Sequence, residues 1–277
     1  MLTRIIALAR RISPGMNQTL VRLWYHYLAV ADKEAHLLFM NYGYADLQPD
    51  AEALALSEVD ERNRYCIQLY HHVAGALDLQ GLDVLEVGCG RGGGASYIMR
   101  SFKPHSLIGI DSSAKAIAFC NGHYSMQGLS FLQGDAEALP FAESTFDVIV
   151  NVESSHCYRS MESFLHEAFR VLRPNGYFLF ADFRHEEHIE ALRQQFLRCG
   201  FALLNEEMIT LNVLEALQRD NTRKLALIHQ KAPRILEKQV QEFAATRGTR
   251  AYEAFRTGER DYRSFVLQKP GRENVRQ

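Results

Sequence analysis

The 277-residue sequence predicts an α/β protein built on a doubly wound, seven-stranded sheet, with a helical lid ahead of it and a helical cap inserted before the last strand. Three observations predict it. Short apolar runs of strand length alternate with helix-period segments over residues 75–210, the mark of parallel strands joined by crossovers. A glycine-rich turn ends the first of those runs and opens a helix. Residues 211–257 then read as helical and charged, without strand signals, ahead of one last alternating run.

The elements follow in order. Leu2, Ile5, Ile6, Leu8, Ala9 and Ile12 share one side of a helical wheel and Arg4, Arg10 and Arg11 the other, so the opening segment is an amphipathic helix. Ser13-Pro14-Gly15 breaks it. Leu20, Leu23, Trp24, Tyr27 and Leu28 recur at helical spacing as a packing stripe, Asn41–Tyr44 forms a turn, and 57–77 reads as a helix leading into the sheet. Buried strands are expected at 82–87, 107–110, 129–132, 146–152 and 176–181, with helices at 94–102, 114–126, 160–172 and 186–199 between them. A sixth strand at 201–209 follows Gly200, and Tyr262, Ser264, Val266 and Gln268 alternate with Arg263, Phe265 and Leu267 in the seventh. The division is therefore 1–74 (helices and lid), 75–210 (core), 211–257 (cap) and 258–277 (last strand and tail).

At 47% hydrophobic and 23% charged, the composition excludes disordered, collagenous and coiled-coil chains. No window approaches the ~18 consecutive apolar residues of a spanning helix. The opening apolar run is short for a signal peptide. Five scattered cysteines without a C-x-x-C pair fit a reducing cytoplasm rather than a disulfide framework or structural zinc. The net charge of −2 hides an uneven spread: four arginines and no acid in 1–31, 13 basic against 26 acidic residues in 32–218, and 14 against 7 in 219–277. The basic ends could meet an anionic membrane surface, with weak peripheral contact through the first helix, or be solvated helix faces. They carry no nucleic-acid-binding motif.

The chemistry concentrates in VLEVGCGRGGG, residues 84–94. Glycines after a buried strand allow unusual φ angles and bring backbone amides close to a ligand, and the helix start beyond favours an anionic group. Such a loop serves dinucleotide, flavin and S-adenosylmethionine sites alike. Asp111 ends the second strand 21 residues after Gly90, where a carboxylate can accept both ribose hydroxyls, as an NAD enzyme would also show. Two features discriminate. Asp135, in Gly134-Asp135-Ala136 after the third strand, can accept the adenine amine, and Glu86 lies in ExGxG where NAD fingerprints carry an apolar residue.

In this order and spacing, LEVGCGRGGG, GID, GDAEALPF, FDVIVNVESSHCY and LRPNGYFLFADF resemble the class I S-adenosylmethionine-dependent methyltransferases, which have a Rossmann-like sheet. GCGRGGGASY with ESSHCY is similar to the bacterial phthiotriol/phenolphthiotriol dimycocerosate branch, which acts on hydroxyls of polyketide-derived lipids. The resemblance implies S-adenosyl-L-methionine as cofactor, with its methionyl part against Gly88 and Gly90 and in reach of Glu86. It places the ribose on Asp111, the adenine on Asp135 and the Ala136 amide, and Asn151 beside the methionyl amine. Ser112 stands where relatives favour an apolar residue on the adenine face. Tyr42 belongs to the lid turn, in which Ala45 replaces a member of the usual hydrophobic-aromatic pair.

The reaction expected is O-methylation of a hydroxyl on a hydrophobic small molecule, a polyketide, lipid or other natural product. His156, after the fourth strand, is the candidate general base because imidazole titrates near neutrality. Glu153 is the alternative base, or a residue orienting His156 or the cofactor. Cys157 reads as a small buried residue, and His185 and His188 as a solvated helix start rather than a metal site. Competing readings are a C-methyltransferase of the sterol or tocopherol type, a cofactor-binding protein without catalysis, and an NAD-dependent oxidoreductase.

Overall fold

The computed structural model describes residues 37–48 and 54–271. The helices expected in 1–36, with their proposed membrane contact, lie outside the described residues.

Seven strands form one sheet in the order β3-β2-β1-β4-β5-β7-β6. They are β1 Asp83–Val87, β2 Ser106–Asp111, β3 Leu129–Gln133, β4 Phe146–Val152, β5 Leu172–His185, β6 Ala202–Met208 and β7 Arg260–Gln268. The first five are parallel, as expected from the crossover pattern. β7 is inserted between β5 and β6 and runs antiparallel to both. Its direction follows from the cap, which leaves the sheet after β6 and returns at the same edge, so the next strand must run back.

Side chains alternate across the strands. Val84, Val148, Val150, Leu179 and Ala181 enter one apolar core, and Leu85, Ile149, Phe178 and Phe180 enter the other. The first core packs against α2 (Arg64–Ala74) and α3 (Gly93–Phe102), the second against α5 (Met161–Val171) and α6 (Ile189–Arg198). α4 (Ala114–His123) carries Ile117 and Cys120 into the first core.

The segment expected as one helix over 57–77 is two. α1 (Glu58–Glu61) is capped by Ser57, whose hydroxyl accepts from Asp60 N, and α2 starts afresh after Asn63. The helix expected at 186–199 begins as a 3₁₀ turn, Glu186–His188. Between β6 and β7 stand α7 (Thr210–Arg219), α8 (Asn221–Lys231), α9 (Glu237–Phe243) and α10 (Arg250–Arg256). Buried Val213, Leu217, Tyr252 and Phe255 join α7 and α10 to the first core. No described helix is long and apolar enough to cross a membrane.

Candidate active site

β1 delivers the chain to the carboxyl edge of the sheet, where Gly88 (φ +78°) and Gly90 (φ +53°) adopt left-handed backbone angles. Space constrains them too: a Cβ on Gly88 would lie 2.3 Å from Ser154 Oγ, and one on Gly90 2.9 Å from Met40 Cε. The Ile110 carbonyl accepts from Gly88 N at 2.8 Å and Cys89 N at 3.1 Å. Asp111 accepts from Gly90 N at 3.0 Å and, through its other oxygen, from Ser113 N at 2.8 Å. Burial raises the Asp111 pKa above the ordinary carboxylate value. The ends of β1 and β2 are thereby locked into one unit.

This unit, the segment after β3 and the end of β4 enclose a cavity of about 470 Å³, within the ~300–1,000 Å³ typical of small-molecule sites. Gly88, Gly90, Asp111, Ser112, Asp135, Ala136 and Glu153 line it. The glycine cradle that a Cβ would fill, faced by an anchored, half-buried carboxylate, fits a nucleoside ligand such as S-adenosylmethionine.

Four sequence-predicted residues do not line the cavity. Tyr42 turns its ring aside, stacking on Phe183 (centroids 5.4 Å apart) and meeting Phe255 edge-on (5.6 Å), while Leu38–Asn41 cover the cavity. Glu86 lies beneath the glycine loop, where it accepts from Tyr70 Oη at 2.7 Å. Burial pushes its pKa up to about 7. Asn151 is fully buried, with Nδ2 2.9 Å from the Val87 carbonyl, 2.8 Å from Ser154 Oγ and 3.0 Å from Tyr158 Oη. Both residues brace the loop from behind.

His156 is the fourth, although its neighbours Glu153, Ser154 and Cys157 all reach the cavity. Its ring packs 4.5 Å from Phe183, and its Nδ1 lies 2.9 Å from Asp182 Oδ1. Asp182 ends the apolar run of β5 and is 1% exposed. It also accepts from Ser155 Oγ (2.6 Å) and His156 N (3.0 Å), and Arg184 Nη1 stands 3.2 Å away. Burial opposes charge on Asp182, but His156 and Arg184 outweigh it and hold the carboxyl well below the usual range. Burial likewise lowers the imidazole pKa, but Asp182 and Cys157 outweigh it and set it at about 10. The buried carboxylate thus favours the protonated ring, and it holds His156 beside the cavity rather than in its wall.

Glu153 is the buried carboxylate that does face the cavity. Its backbone is left-handed (φ +46°), and its Oε1 accepts from Tyr42 N at 2.7 Å. Burial first, then Asp182, pushes its pKa up to about 7.

Sequence reasoning missed Asp182, Tyr70 and Met40. For Asp182 the signal was present: an acid closing a fully apolar strand, FLFAD, needs a buried cationic partner. His185 lies 3.8 Å from Glu259 and His188 3.7 Å from Glu187, with side chains 43% and 61% exposed. Among the described residues no group of three or more His, Cys, Asp or Glu is arranged to hold a metal.

A methyltransferase-domain family model matches residues 85–180. A fatty-acid O-methyltransferase of Mycolicibacterium smegmatis is 38% identical over 262 residues, covering 95% of this chain and 94% of the relative. The phthiotriol/phenolphthiotriol dimycocerosates methyltransferase of Mycobacterium tuberculosis is 37% identical, covering 95% and 96%. In fold, a solved geranyl diphosphate methyltransferase in complex with SAM superposes with a TM-score of 0.60 at 16% identity, covering 84% of this chain and 99% of that one. With that sheet, that glycine cradle and relatives matching nearly end to end, the chain belongs to the class I S-adenosylmethionine-dependent methyltransferases and is an enzyme of that family.

Proposed function

We propose that the chain methylates an oxygen of a lipid-like acceptor, and that this oxygen belongs to a carboxylate. The observation that carries the reading is the His156–Asp182 pair, 2.9 Å apart, which keeps a cation beside the aromatic cluster of Tyr42, Phe183 and Phe255. Arg260 adds a second positive group, 5.5 Å over the Phe183 ring. The aromatic rings suit an apolar chain, and the cations suit an anionic head. The fatty-acid O-methyltransferase relative agrees with this acceptor class.

S-adenosylmethionine supplies an electrophilic methyl on a sulfonium. Gly88 and Gly90 would hold its methionyl part, Asp111 the ribose, and Ser112, Asp135 and the Ala136 amide the adenine. Glu86 and Asn151 support that cradle without touching the ligand, and Tyr42 serves the acceptor side. On this reading the N-terminal helices and lid span 1–74, the core 75–210, the cap 211–257 and the last strand and tail 258–277. A carboxylate has no proton to lose on attack, so the site must orient it and exclude water rather than supply a base.

A second reading keeps a hydroxyl acceptor, favoured by Glu153. Its carboxylate faces the cavity with a pKa near 7, suited to accepting a proton. One experiment separates the two. A long-chain fatty acid and the alcohol of equal length are offered with methyl-labelled S-adenosylmethionine across pH 5–11. The carboxylate reading expects labelled ester, with kcat/KM level through neutrality and falling above about pH 10, where His156 loses its proton. Label only in the ether, with a rate rising through about pH 7, would replace it with the Glu153 reading.

A further inference from the structure

We propose that Glu153 is a positioning residue, a latch that pins the lid turn over the cofactor cavity and joins its closure to the cap. Past the end of β4, Glu153 N donates to the Ala181 carbonyl at 2.8 Å. The residue then takes its left-handed conformation (φ +46°), a strained one for a non-glycine residue. Strain of this kind persists where the surroundings fix it. Here it aims a buried carboxylate across the cavity mouth onto the amide of Tyr42, 111 residues away in the chain.

The other polar group of that residue is also taken: the Tyr42 carbonyl accepts from Lys224 Nζ of α8 at 3.4 Å. Tyr42 is thus held from the sheet through its N–H and from the cap through its C=O. Flanking bonds fix the rest of the turn. Asn41 Nδ2 donates to the Cys66 carbonyl, Tyr44 N to the Tyr65 carbonyl, and Ala45 and Asn212 of α7 exchange two bonds of 3.1 and 2.9 Å. Inside the turn, Met40 closes on Gly90, while outside it the Tyr42 ring enters the aromatic cluster. One peptide therefore borders both ligands. The donor must enter and leave while the latch is open, and an acceptor packed under the cap holds it shut. The order that follows is donor first, acceptor second, with release of the demethylated donor requiring the Glu153–Tyr42 bond to break.

The inference rests on the cavity being the donor site, and the experiment separates the two claims. Release of S-adenosylhomocysteine from the full chain is followed by stopped flow between pH 6 and 9 for wild type, Glu153→Gln, Glu153→Ala and Lys224→Ala, with circular dichroism confirming the fold of each. A charge-assisted hydrogen bond of this kind makes release about tenfold faster or more in Glu153→Ala, with partial rescue by Glu153→Gln. Wild-type release slows as pH rises through about 7, where the carboxylate ionises, and the Gln variant is flat. The charged and titratable groups around Glu153 are Tyr42, Cys66, Tyr70, His156, Asp182, Lys224 and Tyr262. Glu86 beneath the loop also titrates near 7. A pH slope that survives in Glu153→Gln belongs to Glu86 and overturns the latch. So does release at the wild-type rate in both Glu153 variants. Failure of the wild type to bind S-adenosylhomocysteine would instead remove the donor-site assignment.

Discussion

Replacing Asp182 by Asn tests the electrostatics of the site at one atom. The carboxylate sits in the interior with three donors from Ser155 and His156 between 2.6 and 3.0 Å, and Arg184 at 3.2 Å. An amide of the same shape turns an NH₂ toward at least one of those donors and leaves two cations without their counter-charge. Removing one partner of a buried pair costs about 3–5 kcal/mol. At ~2–4 °C per kcal/mol for a chain of this size class, Tm falls by about 6–20 °C. The pH dependence carries the sign. Asp182 is depressed in the folded state, so its contribution exists above its unfolded pKa of ~3.9 and is lost as pH falls below that. His156 is raised, so its contribution is complete below ~6.5 and fades as pH climbs toward its folded value. The gap between wild type and variant should be widest between about pH 4 and 6.5 and shrink on both sides. Thermal melts at pH 3, 5.5 and 10 read it directly. A gap at pH 5.5 under about 2 °C, or one as large at pH 10, would refute the ionised pair.

Three further outcomes follow from the same geometry. Gly88→Ala forces a Cβ to within 2.3 Å of Ser154 Oγ at a left-handed φ; calorimetry should find S-adenosylhomocysteine affinity reduced at least about tenfold, the loss of one charge-assisted contact or more. Tyr70→Phe strips Glu86 of its 2.7 Å donor in the interior and should cost about 1–3 kcal/mol in urea unfolding. Phe178→Ala opens the second core, where the ring is fully buried among Phe164, Phe180, Phe196 and Phe201, and should cost about 3–5 kcal/mol by the same measurement.

What the sequence reveals is what local pattern encodes. Apolar runs and their periods locate the strands, and a glycine turn after a strand, with an acid ending the next, locates the nucleoside cradle. Neighbour relations are another matter. The alternation at 262–268 identifies a strand but not its place between β5 and β6, which depends on where the cap returns. Asp182 meets His156 because Val152 pairs with Ala181 across β4 and β5, a register that no local spacing records. Glu86 and Asn151 belong to the right motifs yet point behind the loop, since a motif fixes residue type and position but not which side of a one-layer turn the side chain takes. Tyr42 departs for a related reason: Phe183 and Phe255, distant in the chain, draw its ring away from the cavity.

Calorimetric titration of the purified chain with S-adenosylhomocysteine, beside Asp111→Ala, tests the cradle most directly. The wild type should bind saturably and one-to-one, with a marked loss of affinity when the carboxylate that anchors Gly90 N is removed. Absence of binding by the folded wild type, or equal affinity in Asp111→Ala, would contradict the assignment of the cradle.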